Sequence, residues 1–183
     1  MHNSLYKVFY FIDKFEESEI QKLNKKIHII YRNYKEKYNI DFIKKIKHFC
    51  KKRGNKFYLA NNIDLAIKLN LDGVYIPAFN QKILCKNYKI KKNFLLLGSA
   101  HNRKEIIIKE KQRVDYIFLS PLFKIKKTKK RLGIFEFLKI KKYTKTKIVA
   151  LGGINKINYT KLFMLNICGY ASISFIKKKF NIN

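Results

Sequence analysis

The sequence predicts an α/β protein: a single (β/α)8 TIM barrel with trimmed loops and a short C-terminus, taking residues 1–183 as one domain. Three observations carry this prediction. Short apolar runs without polar alternation recur at spacings of about twenty residues, as strands buried on both faces do. Helical segments separate the runs, the order expected of a parallel sheet. Polar residues gather just after the C-terminal ends of the runs, the face on which a parallel barrel carries its site. At 183 residues the chain falls short of the ~250 typical of an eight-fold barrel, hence the trimmed loops. A doubly wound open sheet is the competing architecture.

Taken in order, VFYFI (8–12) is a strand ending at Asp13, and a helix over 16–26 turns Ile20 and Leu23 inward. HIIY (28–31) is the second strand, with Arg32 and Asn33 at its end. Ile43, Ile46 and Phe49 then fall at helical spacing until Gly54 stops the helix. KFYLA (56–60) is the third strand, with Asn61 and Asn62 at its rim and a helix over 63–69. GVYI (73–76) is closed by Pro77, and a weak helical segment leads to NFLLL (93–97), which runs into Gly98, Ser99, Ala100 and His101. Asn102 and Glu105 are spaced as a capping box for the helix that follows. YIFL (116–119) ends at Ser120 and Pro121, residues 124–131 form a basic loop, and 135–140 are helical.

The run KIVAL (147–151) ends in Gly152 and Gly153, where the backbone can turn sharply and approach a ligand with no Cβ in the way. Asn155 is placed to cap a helix whose free N–H groups would face that ligand. Residues 169–176 repeat the buried-strand theme and carry Ser174. Two neighbouring strands ending in Gly-Gly and Ser make a phosphate cup out of the last two βα loops.

Composition narrows the class. Lys and Arg number 42 against 12 Asp and Glu, a formal charge of +30, yet the lysines are spread along the whole chain. Together with heavy use of Ile and Asn, this is the bias that AT-rich coding produces. Such a surface binds nucleic acid only non-specifically at low salt, and it steers phosphorylated small molecules inward. No apolar run reaches membrane-spanning length, and the N-terminal stretch has an acidic flank instead of a small-residue cleavage site, so the expectation is a cytoplasmic protein with no membrane partner. Cys50, Cys85 and Cys168 lack metal-ligand spacing and read as reduced core fillers.

The rim set is Asp13, Arg32, Asn61, Asn80, Ser99, His101, Ser120 and Ser174. Singly, His101 reads as a helix-start histidine, Arg32 as a surface arginine and Ser99 as a turn former. In a barrel they converge on one face.

Several stretches, in order and spacing, resemble the thiamine-phosphate synthase/TenI family: IDLA (63–66) with LDGVY (71–75), GSAH (98–101), DYIFLSPLF (115–123), VALGGI (149–154) and GYASI (169–173). The resemblance runs from about Phe9 to Phe175. It implies that Gly152, Gly153, Ile173 and Ser174 hold the phosphate of a thiazole phosphate or thiamine phosphate. Ser99 and Arg32 match positions that meet the pyrophosphate of the pyrimidine substrate, and Lys129 or Lys130 matches a lid lysine on the same group. The departures are on the third and fourth strands: Asn61 and Asn80 stand where the family's two magnesium-binding aspartates belong, and residues 30–34 keep only the arginine of a Gln-x-Arg-Glu-Lys pattern.

Three readings follow from the resemblance. The first is a diverged synthase that joins hydroxymethylpyrimidine pyrophosphate to thiazole phosphate with release of pyrophosphate, lysines taking over part of the metal's electrostatic role; only this reading involves Mg²⁺. The second is a TenI-type thiazole tautomerase, metal-independent, with His101 in the position of that family's acid/base and Ser99 beside it, imidazole being the side chain whose ordinary titration spans neutrality. The third is a non-catalytic binder of phosphate ligands. A homodimer is left open.

Overall fold

In the computed structural model, which describes residues 6–83, 90–125 and 131–182, eight parallel strands close on themselves in sequence order. They are β1 (Lys7–Ile12), β2 (Ile27–Tyr31), β3 (Phe57–Ala60), β4 (Gly73–Ile76), β5 (Leu95–Ala100), β6 (Tyr116–Leu119), β7 (Lys147–Leu151) and β8 (Gly169–Ala171). The closing pair places Lys7 opposite Gly169 and Phe9 opposite Ala171. The expected (β/α)8 barrel is therefore the observed one, and the open sheet is excluded.

Strand alternation divides the core in two. Phe9, Phe11, Ile30, Tyr58, Tyr75, Leu97, Phe118 and Val149 point into the barrel and pack with one another. Their neighbours Tyr10, Ile12, Ile29, Leu59, Val74, Ile117 and Ile148 point outward, under the helices. Aromatic rings fill the lumen: Phe9 meets Phe118 edge-on at 4.8 Å, and Tyr75 meets Phe11 at 5.1 Å and Phe118 at 5.4 Å. Each such contact adds about 0.5–1.5 kcal/mol to the burial itself. The interior is thus a packed plug, and its uppermost layer is a floor on which a site can sit.

The helices begin and end where their side chains dictate. In α2 (Ile40–Arg53), Asn39 accepts the Phe42 N–H, and Gly54 takes a φ of 81° to close the C-terminus. Asn62 and Asn102 do the same service for α3 (Ile63–Lys68) and α4 (Arg103–Lys111).

Several expectations give way. The first helix, α1 (Glu17–Gln21), is far shorter than 16–26. Among the described residues nothing between β4 and β5 is helical, and 84–89, with Cys85, lie outside them. Ser99 belongs to β5, which starts and ends later than 93–97. The stretch 169–176 is not one strand: β8 stops at Ala171, and Ser174 opens helix α6 (Ser174–Lys179). Ser172, Ile173, Ser174 and Phe175 alternate as a strand would, but Ile176 is buried from a helix. Between β7 and β8 lies only a 3₁₀ turn, Tyr159–Met164. Asn155 does not cap it; its Oδ1 accepts from Ile157 and Asn158 N–H in a local turn. Helix α5 (Gly133–Lys141) follows the basic loop.

Candidate active site

Strand parity delivers the candidate residues. Ser99, Ser120 and Arg32 lie on the inward rows of β5, β6 and β2 at their C-terminal ends, directly above the aromatic plug. With Tyr34, Tyr75, Pro77, Ala78, Phe79, Gln81, His101, Glu105 and Leu151 they line a cleft of about 400 Å³ in the barrel mouth. A second hollow of about 300 Å³ opens beside it over β1, lined by Asp13, Glu16, Glu19, Ile173 and Lys177. Arg32 belongs to both.

The Arg32 guanidinium lies 4.7 Å over the Phe11 ring, and its backbone N–H is tied to Ile12 O. Among the described residues it has no carboxylate partner. A planar cation fixed by stacking, with its donors unspent, is built to meet an anion. The Tyr75 hydroxyl is pushed up by burial, against the pull of its hydrogen bond with Ser99 and of Arg32. Tyr75 therefore stays protonated.

His101 is half-exposed at the cleft wall. Its Nδ1 lies 2.9 Å from Glu105 Oε2, and the same oxygen accepts the His101 backbone N–H at 2.7 Å. Asn102 Nδ2 donates to the other carboxylate oxygen at 3.0 Å. Only the Asn102 half of the expected capping box forms; the Glu105 carboxylate reaches past the Asn102 N–H to the His101 backbone and ring, holding the ring with Nε2 free of that contact. A carboxylate-oriented imidazole of this kind can donate or take a proton at Nε2.

Asn61 and Asn80 are brought together by the adjacency of β3 and β4, not by the cleft. Asn80 Nδ2 donates to Asn61 Oδ1 at 2.7 Å, and Asn61 takes a φ of 57°. Neither lines the cleft, although Pro77–Phe79 and Gln81 on either side of Asn80 do. Two amides bonded to each other offer a hard cation one oxygen and no charge. Among the described residues no three His, Cys, Asp or Glu side chains are grouped for a metal ion. The residues present do not fit the Mg²⁺ that the resemblance implies.

The glycine pair is also tighter than a cup requires. Gly152 and Gly153 have φ of 96° and 69°; a Cβ on Gly153 would come 2.5 Å from the Phe123 backbone, and one on Gly152 would come 2.8 Å from Pro121. Leu122 and Phe123 N–H donate to Leu151 and Gly152 carbonyls, so the β7 turn is sutured to the β6 loop. Ser172, buried at the end of β8, was missed by the sequence reading; its Oγ accepts the Phe175 N–H and starts α6. Ile173 is exposed beside the second hollow and Ser174 is exposed at the helix start. Lys129 and Lys130 lie outside the described residues.

Two further features have no counterpart among the expectations from the sequence. Tyr34 and Phe79, exposed at the cleft entrance, cross edge-to-face at 5.3 Å. Lys109 is fully buried in α4: Nζ donates to Pro77 O, Asn80 O and Gln112 Oε1 at 2.8–2.9 Å. Burial pushes its ammonium down to about 8, against the pull of Glu105, so it remains charged at neutral pH.

A closed (β/α)8 barrel with, at its C-terminal rim, a carboxylate-held histidine and an arginine that has no carboxylate partner among the described residues is the arrangement of a barrel enzyme acting on small anionic molecules. The chain belongs to the thiamine monophosphate synthase (TMP-TENI) family, whose profile matches residues 16–176. It is similar to the thiamine-phosphate synthase of Pelagibacter ubique, 31% identical over 169 residues, 89% of this chain and 81% of that one. The match to the Prochlorococcus marinus subsp. pastoris synthase is 29% identical and spans 81% of this chain but only 44% of the relative. In fold the chain resembles the thiamine phosphate pyrophosphorylase of Pyrococcus furiosus, with a TM-score of 0.70 at 19% identity over 98% and 94% of the two chains.

Proposed function

We propose that the protein is a thiamine-phosphate synthase, joining hydroxymethylpyrimidine pyrophosphate to thiazole phosphate with release of pyrophosphate. The observation that carries the reading is Arg32, without a carboxylate partner among the described residues, stacked on Phe11 and lining both hollows of the mouth. There it meets the pyrophosphate as it departs from the pyrimidine methylene carbon, and Ser99 and Ser120 supply hydroxyls from the neighbouring strand ends. The carbon left behind is then attacked by the thiazole nitrogen. Tyr34 and Phe79 offer aromatic surface for the pyrimidine ring at the entrance. The thiazole phosphate sits at the β7 and β8 ends, on the backbone of Gly152, Gly153, Ile173 and Ser174. By the family resemblance Lys129 or Lys130 has the role of a lysine on the leaving group, and the chain's +30 charge draws both substrates in.

No step passes through a metal, because Asn61 and Asn80 do not fit one. Charge on the departing pyrophosphate falls to arginine and lysine instead. The test is turnover with both substrates in excess EDTA and in millimolar Mg²⁺. Thiamine phosphate formed in EDTA supports the reading; no product under either condition rejects it.

One observation favours a second reading. The His101–Glu105 pair is an oriented acid/base at the cleft wall for which the synthase reaction has no required proton transfer. Thiazole tautomerisation does need one, and it needs no metal. Proton exchange on a thiazole carboxylate phosphate, lost in His101→Ala, selects this reading.

A further inference from the structure

The segment after β4 forms one wall of the cleft, and what holds it is internal. Asn80 is fixed from two directions: its side chain by Asn61 Oδ1 at 2.7 Å, and its carbonyl by Lys109 Nζ at 2.8 Å and Gln112 Nε2 at 3.0 Å. Lys109 also holds Pro77 O, and Gln112 also holds Lys82 O at 2.8 Å, so both ends of the wall are tied to α4. Room for the lysine comes from Gly98, where a Cβ would meet Lys109 Cδ at 2.9 Å.

A buried ammonium is costly unless it is paired, and among the described residues Lys109 has only neutral oxygens within hydrogen-bond reach. Methionine would fill the same space without that cost but would leave Pro77 O and Gln112 Oε1 without this donor, so the reason for the charge lies in what it holds. Two of its three acceptors are carbonyls of the cleft wall. Two facing carboxylates at positions 61 and 80 would repel and require a cation between them. Two facing amides satisfy each other, and the positive charge sits behind the wall as part of the protein.

We propose that the β3–β4 side of the cleft is organised without a divalent metal, by the Asn61–Asn80 bridge and by Lys109 as a positioning residue that takes over a metal's ordering role. This rests on the synthase or tautomerase reading for its catalytic meaning, but the geometry itself can be tested without turnover.

The experiment measures melting temperature and calorimetric heat with Mg²⁺ alone, no substrate present. The parent should show no Mg²⁺ heat and a melting temperature that Mg²⁺ does not move. Asn61→Asp/Asn80→Asp should melt lower in EDTA and recover by about 3 °C or more in millimolar Mg²⁺; if it does not fold, Asn80→Asp alone is scored the same way. Lys109→Met should speed amide exchange at 78–82 selectively, leave the barrel strands protected, and raise KM about tenfold with kcat nearly held. Specific Mg²⁺ binding by the parent overturns the proposal. So do an aspartate variant indifferent to Mg²⁺, and Lys109→Met exchange that rises evenly over the whole barrel. A parent inactive in every assay but behaving as stated towards Mg²⁺ would reject the function and leave the inference standing.

Discussion

The two ends of the barrel use the same kinds of side chain for opposite purposes. At the end where strands begin, polar groups are consumed by the backbone. Asp72 accepts the Phe57 N–H and pairs with Lys56, and Asp115 accepts the Leu96 N–H, so each aspartate ties the start of one strand to the loop before the next. Asn55 donates to Asn24 and Ile27 carbonyls, and His28 meets the Tyr58 hydroxyl at 2.9 Å. At the end where strands finish, Arg32 has no carboxylate among the described residues, His101 has a ring nitrogen beyond its Glu105 contact, and Tyr34 and Phe79 stand exposed. Donors mostly spent at one end, with the buried Arg53 Nε an exception, and spare donors at the other distinguish stability from chemistry. Substitutions should divide the same way.

The largest effect belongs to Arg32. Arg32→Ala should lower kcat/KM for the pyrophosphate substrate by about 10³, the scale of losing a charged donor to developing negative charge. The melting temperature should hardly move, because the guanidinium is half-buried and anchors nothing else. Steady-state kinetics beside a thermal melt check both halves. A large melting loss with unchanged kinetics would place Arg32 with the structural end.

Next is His101. His101→Ala should reduce thiazole proton exchange on the order of a hundredfold and leave thiamine phosphate formation nearly intact. Glu105→Gln should fall between, since it loosens the ring without removing it. Equal losses in both reactions would merge the two readings into one site doing both.

The starting end offers a pH test. Burial, helped by Lys7, pushes His28 down to about 4 from an ordinary 6.5. Between those values the unfolded chain holds the proton and the folded chain does not. Stability from His28 is therefore complete above pH 6.5 and lost as pH falls towards 4, by about 2 kcal/mol after allowing for its partial exposure. Chemical denaturation of the parent from pH 7 to 4 should show this slope, and His28→Phe should flatten it. Activity per folded molecule should not follow it.

Much of this division was legible in the chain. Apolar runs located all eight strands, and the residues following them located Arg32, Ser99, His101 and Ser120. The Leu71-Asp72-Gly73 and Asp115-Tyr116 stretches matched because those aspartates bind backbone, a role fixed by local geometry. What could not be read depended on contacts between distant segments. Asn61 and Asn80 meet only because β3 and β4 are neighbours. Lys109 sits in the run KEKQ, which reads as a solvated face; only its spacing of three from Ile106 and the space at Gly98 betray its burial. Ser172 and Ser174 lie in a stretch whose alternation suits a strand and a helix start equally. Gly153 carries a second constraint beside ligand approach: a Cβ there would meet the β6 loop backbone at 2.5 Å, so a bulkier residue would disturb that loop and would not test phosphate binding cleanly.

The smallest predicted effect concerns a residue that belongs to both ends by role. Asn102 lies beside the cleft, but its Oδ1 accepts the Glu105 N–H as a helix cap and its Nδ2 donates to the Glu105 carboxylate. Asn102→Ala removes the cap of α4, a loss of about 1 kcal/mol. It also frees one side of the carboxylate that holds His101. Proton exchange should therefore fall only about threefold to tenfold, because Glu105 keeps its own contacts to His101 N and Nδ1. Asn102→Asp separates the two roles: it still caps, so stability should return, but it cannot donate to Glu105 and sets a second carboxylate against it, so the activity loss should persist. If Asn102→Asp recovers activity together with stability, Asn102 serves the helix alone, and the division between spent and spare donors runs between Asn102 and Glu105.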